Sequence, residues 1–347
     1  MTKVMTKQKF NRMQKLANED GVIDALALDQ RGSLVKMMKQ AAADNGKPFS
    51  MKMVYDFKKL VSQVLSPISS AILLDAQMGF EGIEAKDPAT GGLIMSYEQT
   101  GYDVDTPGRL PKLIQNQSAQ IMVEEGADAL KVLLYLNTND TDDINRTKQA
   151  FSQRYGTEAL AVDVPTFFEV VTYDDRYASD SIEFAKEKPQ MVIEAMKEFT
   201  QDKYHIDVLK MEMPFNPKFV KEWNDDGEYA YTEEEVKGYL RELSAAATRP
   251  FIFLSAGVPT PVFQRQLKLA GSVGTKFSGV LSGRATWRDG INVYAKDGEA
   301  GLVDWLEHKG TQNVMDLKEI LSANATPWYD MYGGKDEIEI IERPDIK

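Results

Sequence analysis

Short apolar, β-branched runs alternate with longer amphipathic segments along almost the whole chain. Eight of the runs are predicted as strands: 22–29 ("VIDALALD"), 70–75 ("SAILLD"), 92–97 ("GLIMSY"), 129–136 ("ALKVLLYL"), 166–173 ("TFFEVVTY"), 207–214 ("DVLKMEMP"), 250–257 ("PFIFLSAG") and 277–284 ("FSGVLSGR"). Helix-period segments lie between most of them, among them 110–126, 188–201, 231–247 and 260–274. Strands this apolar need cover on their outer face, and intervening helices supply it, so the pattern predicts a parallel sheet. Eight strand–helix units is the count of a (β/α)8 TIM barrel with outer helices. An open doubly wound sheet is the alternative. Its usual G-x-G-x-x-G is absent after the first strand, where "LDQRGSL" stands, and the chain has no G-x-x-x-x-G-K-[ST] phosphate loop. Residues 1–328 are expected to form one barrel domain with an N-terminal helical segment. Residues 329–347 are expected to be an acidic tail, either disordered or strapped over a subunit contact.

Polar residues crowd the C-terminal ends of the predicted strands, where barrels carry their chemistry. Asp29, Gln30 and Arg31 close the first strand and Asp75 the second. Ser255 and Gly257 close the seventh, Gly283 and Arg284 the eighth. Three further charges, Lys131, Glu169 and Lys210, lie inside the fourth, fifth and sixth strands. Consecutive barrel strands are ~4.8 Å apart, so these side chains can face one another. Strand parity then places Val208 and Glu212 inward with Lys210, Phe167 and Val171 inward with Glu169, and Leu209 and Met211 toward the helices.

A lysine in a dry barrel beside another cation should release its proton more readily, and a neutral amine attacks a ketone to give an imine. The three residues are therefore the parts of a Schiff-base aldolase: Lys210 as nucleophile, Glu169 as acid/base, Lys131 as the charge that tunes both. A structural ion-pair network is the alternative. Glu212 is either a second acid or a rim residue paired with Lys210. The small-residue turns "LSAGV" and "LSGRATW" after strands seven and eight suit a phosphate, with Arg284 as a bidentate donor; ordinary strand-to-helix turning is the alternative.

Composition narrows the chemistry. The absence of cysteine excludes disulfides, thiolate nucleophiles and zinc–thiolate sites. Two distant histidines, His205 and His308, give no basis for a histidine metal centre, although carboxylate-held Mg²⁺ stays open. The net charge of −12 argues against a nucleic-acid partner. No apolar run approaches the ~20 residues that span a bilayer, and the polar N-terminus has no signal-peptide core. A cytoplasmic protein without a membrane partner is expected.

The motifs "ALALDQRGSL", "LSPISSAILLD", "SYEQTGYD", "GADALKVLLYL", "PTFFEVVTYD", "DVLKMEMPFN", "FLSAGV" and "FSGVLSGRATW" occur in this order, each on its own predicted strand. From about residue 20 to "ATPW" near 328 the chain closely resembles the class I tagatose-1,6-bisphosphate aldolases of Gram-positive bacteria. The resemblance implies cleavage of tagatose 1,6-bisphosphate, and of epimers such as fructose 1,6-bisphosphate, to glycerone phosphate and glyceraldehyde 3-phosphate. It places the imine lysine at Lys210, the proton-transfer glutamate at Glu169 and the second active-site lysine at Lys131. Substrate contacts fall on Asp29, Gln30, Ser255 and Arg284, with Arg31 and Gly283 as neighbours. It implies no metal, no cofactor, a phosphorylated ketose as partner, and a homo-oligomer, dimer or larger. The acidic end after Trp328 and the stretches 44–53 and 78–92 depart from the family pattern. Three other roles fit the same residues: a same-mechanism aldolase for another ketose phosphate such as sulfofructose 1-phosphate, a sugar-phosphate-sensing regulatory paralogue, and a non-catalytic scaffold barrel.

Overall fold

The structure, a computed structural model, describes residues 3–224 and 227–343. Its strands are β1 (Lys3–Thr6), β2 (Ile23–Ala27), β3 (Ala71–Asp75), β4 (Gly92–Ser96), β5 (Ala129–Leu136), β6 (Thr166–Thr172), β7 (Val208–Met211), β8 (Phe251–Leu254), β9 (Gly279–Ser282) and β10 (Ile338–Ile341). Strands β2 to β9 close an all-parallel barrel in chain order, β9 returning to pair with β2. The eight predicted runs supply these eight strands. Most are shorter than the apolar pattern suggested, because their polar ends leave the ladder and turn into the loops.

Alternation sorts the side chains as a pleated strand must. Ala129, Phe167, Val208, Ile252 and Leu281 fill the lower barrel, while Leu130, Phe168, Leu209, Phe253 and Val280 join the larger core under the helices. Above that apolar floor the next inward positions are charged: Lys131 on β5, Glu169 on β6 and Lys210 on β7.

The helices follow the pattern with one substantial correction. The predicted helix at 110–126 shrinks to Ala119–Glu124, capped by Ser118. The residues before it are recruited elsewhere: Gln99 N–H donates to the Lys112 carbonyl at 2.7 Å and Ile114 N–H to that of Tyr97 at 3.0 Å. Glu98 and Leu113 thus form an antiparallel bridge, and Pro111 disfavours helix at the residue before it. The segment at 188–201 is part of a longer helix, Ile182–Phe199, which begins behind a Ser181 cap and carries Pro189 inside it. Glu233–Ala246 opens with a Thr232/Glu235 capping box.

β1 and β10 were not foreseen. They pair in parallel beneath the barrel, Lys3 opposite Ile338 and Thr6 opposite Ile341. The helix Lys7–Lys15 continues this plug: Phe10, Met13 and Trp328 pack with the barrel floor. Lys9 pairs with Asp207 at 3.0 Å, Lys15 with Asp128 at 2.7 Å, and Thr6 Oγ1 donates to Asp163 at 2.7 Å. Each partner lies just before a barrel strand, so the plug closes the strand-start end and leaves the other end for chemistry.

Candidate active site

A cavity of about 510 Å³ opens at the strand-finish end. Lys131, Leu133 and Tyr135 of β5 line it, as do Glu169 and Val171 of β6, and Lys210 and Glu212 on and just beyond β7. These are the inward parities. The loop after β2 adds Asp29, Gln30 and Arg31; the ends of β8 and β9 add Ser255, Gly283 and Arg284.

Glu169 joins the two lysines. Its Oε2 lies 2.7 Å from Lys131 Nζ and 2.9 Å from Lys210 Nζ. Glu169 and Lys210 are register partners on adjacent strands, whereas Lys131 lies opposite Phe167, two residues lower on the same face, and reaches upward. Lys131 also meets Asp29 at 2.9 Å and Glu98 at 3.1 Å. An ammonium has three protons, so three carboxylates saturate it. The cation these carboxylates surround is therefore a side chain of the protein itself.

Electrostatics follow from this packing. Burial works against charge on Lys131, but Asp29, Glu169 and Glu98 outweigh it and hold the ammonium well above its ordinary value. Burial likewise opposes ionisation of Glu169 and Asp29, yet Lys131 and then Lys210 hold both below the usual carboxylate range. Of the two lysines, Lys131 is thus fixed in its charged form.

Glu98, buried in the cavity wall, was not singled out from the sequence. Its Oε1 accepts from Ser96 Oγ at 2.7 Å, Arg31 Nη2 at 3.1 Å and Lys131 Nζ at 3.1 Å. Its Oε2 is buried without a hydrogen-bond partner among the described residues. The signal was available: inward parity along β4 runs Ile94, Ser96, Glu98, two residues past the strand's end. Arg31 is turned into this network. It donates to Gln77 Oε1 at 2.8 Å and to the Glu98 carbonyl at 2.8 Å.

Two expectations change. Glu212 does not pair with Lys210. It accepts from Lys188 Nζ at 2.6 Å and from the Thr172 N–H and hydroxyl, each at 2.7 Å, which ties the end of β7 to β6 and to the Ile182–Phe199 helix. Asp75 does not face the cavity. It is fully buried against Lys58, and its other oxygen accepts from Gln77 and Met78 N–H at 3.0 and 2.7 Å. The turn it fixes presents Gln77 to Arg31.

On the opposite wall, Ser255 is buried and Arg284 half-buried, both facing the cavity. Gly257 does not line the cavity. It backs Arg284: its φ is +77°, and a Cβ there would stand 2.9 Å from the guanidinium carbon. Gln30 Oε1 is buried without a partner among the described residues. The arrangement can hold an anion at Arg284 and Ser255, present an amine at Lys210, and move a proton at Glu169.

The family and the relatives that this chain resembles are aldolases. Residues 23–289 match the profile of the DeoC/LacD family aldolases. A tagatose 1,6-diphosphate aldolase of Listeria monocytogenes is 45% identical over 98% of this chain and 99% of its own length. Tagatose 1,6-diphosphate aldolase 2 of Enterococcus faecalis is 44% identical over 94% and 97%. The Staphylococcus epidermidis tagatose 1,6-diphosphate aldolase is 43% identical over 94% and 99%. Among solved structures, Plasmodium falciparum fructose-bisphosphate aldolase superposes with a TM-score of 0.63 at 14% identity, over 96% of this chain and 98% of that one. A Schiff-base-forming fructose-1,6-bisphosphate aldolase gives 0.51 at 14% identity, over 86% and 98%. At that identity the structural likeness concerns the barrel alone.

Proposed function

The chain belongs to the DeoC/LacD family of aldolases, and from that premise we propose that it cleaves D-tagatose 1,6-bisphosphate to glycerone phosphate and D-glyceraldehyde 3-phosphate through an imine on Lys210. Fructose 1,6-bisphosphate and other epimers are further substrates on this reading. The observation that carries it is the unequal partnering of the two lysines. Lys131 has three carboxylates for three protons, while Lys210 has Glu169 alone among the described residues. A saturated ammonium cannot be a nucleophile; an amine with one carboxylate beside it can hand over a proton and attack.

In this mechanism Lys210 Nζ passes a proton to Glu169 and adds to the C2 ketone. The resulting carbinolamine takes a proton back and loses water, leaving the protonated imine. Glu169 then accepts the C4 hydroxyl proton as the C3–C4 bond breaks, glyceraldehyde 3-phosphate departs, and the bonding electrons pass to the imine nitrogen as an enamine. Protonation at C3 and hydrolysis return glycerone phosphate and the free amine. Lys131 stays charged throughout and holds Glu169 in place, 2.7 Å away. Arg284 and Ser255 hold the phosphate next to the ketone, turning remote binding energy into orientation.

The test is borohydride trapping with glycerone phosphate in the presence of EDTA, followed by peptide mapping. An adduct on Lys210 is expected. An adduct on Lys131 exchanges the two lysines, and no adduct on intact, phosphate-binding protein overturns the imine mechanism.

A further inference from the structure

We propose that Arg109 is the residue that selects a substrate with a second, distal phosphate, by giving up a surface carboxylate for that phosphate. The proposal rests on the reading above for the identity of the sugar, and on the following geometry for the site.

Arg109 lies in the loop between β4 and β5 and lines the same cavity as Lys210. Its guanidinium carbon is 3.9 Å from the centroid of Tyr173, 5.2 Å from that of Tyr102 and 5.8 Å from that of Tyr135. Three aromatic faces fix a planar cation in orientation while leaving its N–H edge outward. That edge meets Asp175 at 2.7 Å, but the Asp175 side chain is 62% exposed. Such a pair holds weakly in water and is readily exchanged for a dianionic phosphate inside the mouth.

The loop is built to hold the cation there. Its base is pinned by the Glu98–Leu113 bridge. Gly108, at φ +94°, passes so close to the helix Asp142–Ala161 that a Cβ would stand 2.6 Å from Ile144 Cγ2. Arg109 follows at φ +48°, a left-handed conformation that non-glycine residues rarely adopt. Two successive left-handed residues aim this side chain over the mouth rather than into solvent.

Barrel order supplies the rest. With eight strands, β9 stands diametrically across from β5. Arg284 follows β9, and Arg109 is stacked over the ends of β5 and β6, so two arginines face one another across Lys210 and Glu169. A substrate held by Arg284 at the phosphate beside its ketone extends its longer arm toward Arg109. A bisphosphate bridges the two; a 1-phosphate leaves Arg109 with Asp175.

The experiment compares D-tagatose 1,6-bisphosphate with D-tagatose 1-phosphate, by binding calorimetry and by kcat/KM, in wild type, Arg109→Ala, Arg109→Lys and Asp175→Asn. In Arg109→Ala the preference for the bisphosphate should fall about 10- to 100-fold, the range for one charge-assisted contact. Arg109→Lys should recover only part of it, since it keeps the charge without the stacked plane. Asp175→Asn should raise the preference. An Arg109→Ala variant whose two substrates weaken equally, or not at all, overturns the proposal. Borohydride trapping separates the two readings: loss of trapping with an Arg109-dependent binding preference retained sinks the imine mechanism and leaves this inference standing.

Discussion

Glu169 and Lys210 are register partners on β6 and β7, and their side chains meet at 2.9 Å. The distance follows from the backbone: parallel neighbours in register place both side chains on the inner face at one height. Because Lys131 takes the same oxygen from below, Glu169 is held by two cations and has little freedom to leave. A proton exchanged at Lys210 therefore has a fixed acceptor, and a proton leaving a bound substrate meets the same oxygen.

The first prediction concerns that carboxylate. Burial raises the cost of its charge, but Lys131 and Lys210 prevail and hold Glu169 below the ordinary range. A depressed pKa keeps the base form through neutral pH, so activity that depends on it should fall only below the ordinary glutamate value of about 4.3. Glu169→Gln should slow the cleavage step by about 10²- to 10⁴-fold in single-turnover kinetics. An unchanged cleavage rate assigns the proton transfer to another group.

Lys131 should behave differently from Lys210 in stability. Lys131→Met leaves Asp29, Glu98 and Glu169 facing one another without their common cation, a loss of about 3–5 kcal/mol for a broken buried pair. Its pKa is raised in the folded state, so its contribution is fully present below the unfolded value of about 10.4 and is lost as pH rises through the folded one. The variant should start lower and show a flatter alkaline limb in urea unfolding between neutral pH and pH 11. Equal alkaline slopes in the two proteins would show that Lys131 does not titrate as its surroundings dictate.

Glu98→Gln should cost about 1–3 kcal/mol, because Arg31 and Lys131 each exchange a charged acceptor for a neutral one. The measurement pairs denaturant unfolding with the rate of borohydride trapping on Lys210. Both should fall, since Lys131 loses one of the acceptors that fix its position beside Glu169. Lower stability with an unchanged trapping rate makes Glu98 a strut for Arg31 alone.

What could be read from the chain depended on contrast. Lys131, Glu169 and Lys210 were legible because a charge inside an apolar strand has few explanations, and parity then set their direction. Glu98 and Arg109 sit in "YEQTGYDVDTPGR", where polar residues are ordinary: Glu98 shows inward only when the parity of β4 is carried past the strand's end, and Arg109 only in the folded loop. Glu212 was placed on the correct face but given the wrong partner, because Lys188 comes from a neighbouring helix and pairing across elements leaves no mark in spacing. The strands β1 and β10 escaped for another reason. Each has four residues, they lie at opposite ends of the chain, and each finds its ladder only in the other.

That pairing yields the last prediction. Residues after Gly333 contribute β10, the buried Ile338 and the exposed Lys7–Glu342 pair. Removing 334–347 strips β1 of its partner and uncovers part of the floor formed by Met5 and Phe10, which pack with Ile338. Burial of one isoleucine is worth about 1.5–3 kcal/mol. With the lost ladder bonds at about 0.5–1.5 kcal/mol each, the truncated chain should be less stable by roughly 3–5 kcal/mol. The exposed ion pair adds little. The rate of trapping on Lys210, per folded molecule, should stay as it was, because every contact of the plug described above lies at the strand-start end and the reacting groups lie at the other. A truncated protein that is folded yet slow to trap would mean that this end of the chain shapes the site from a distance.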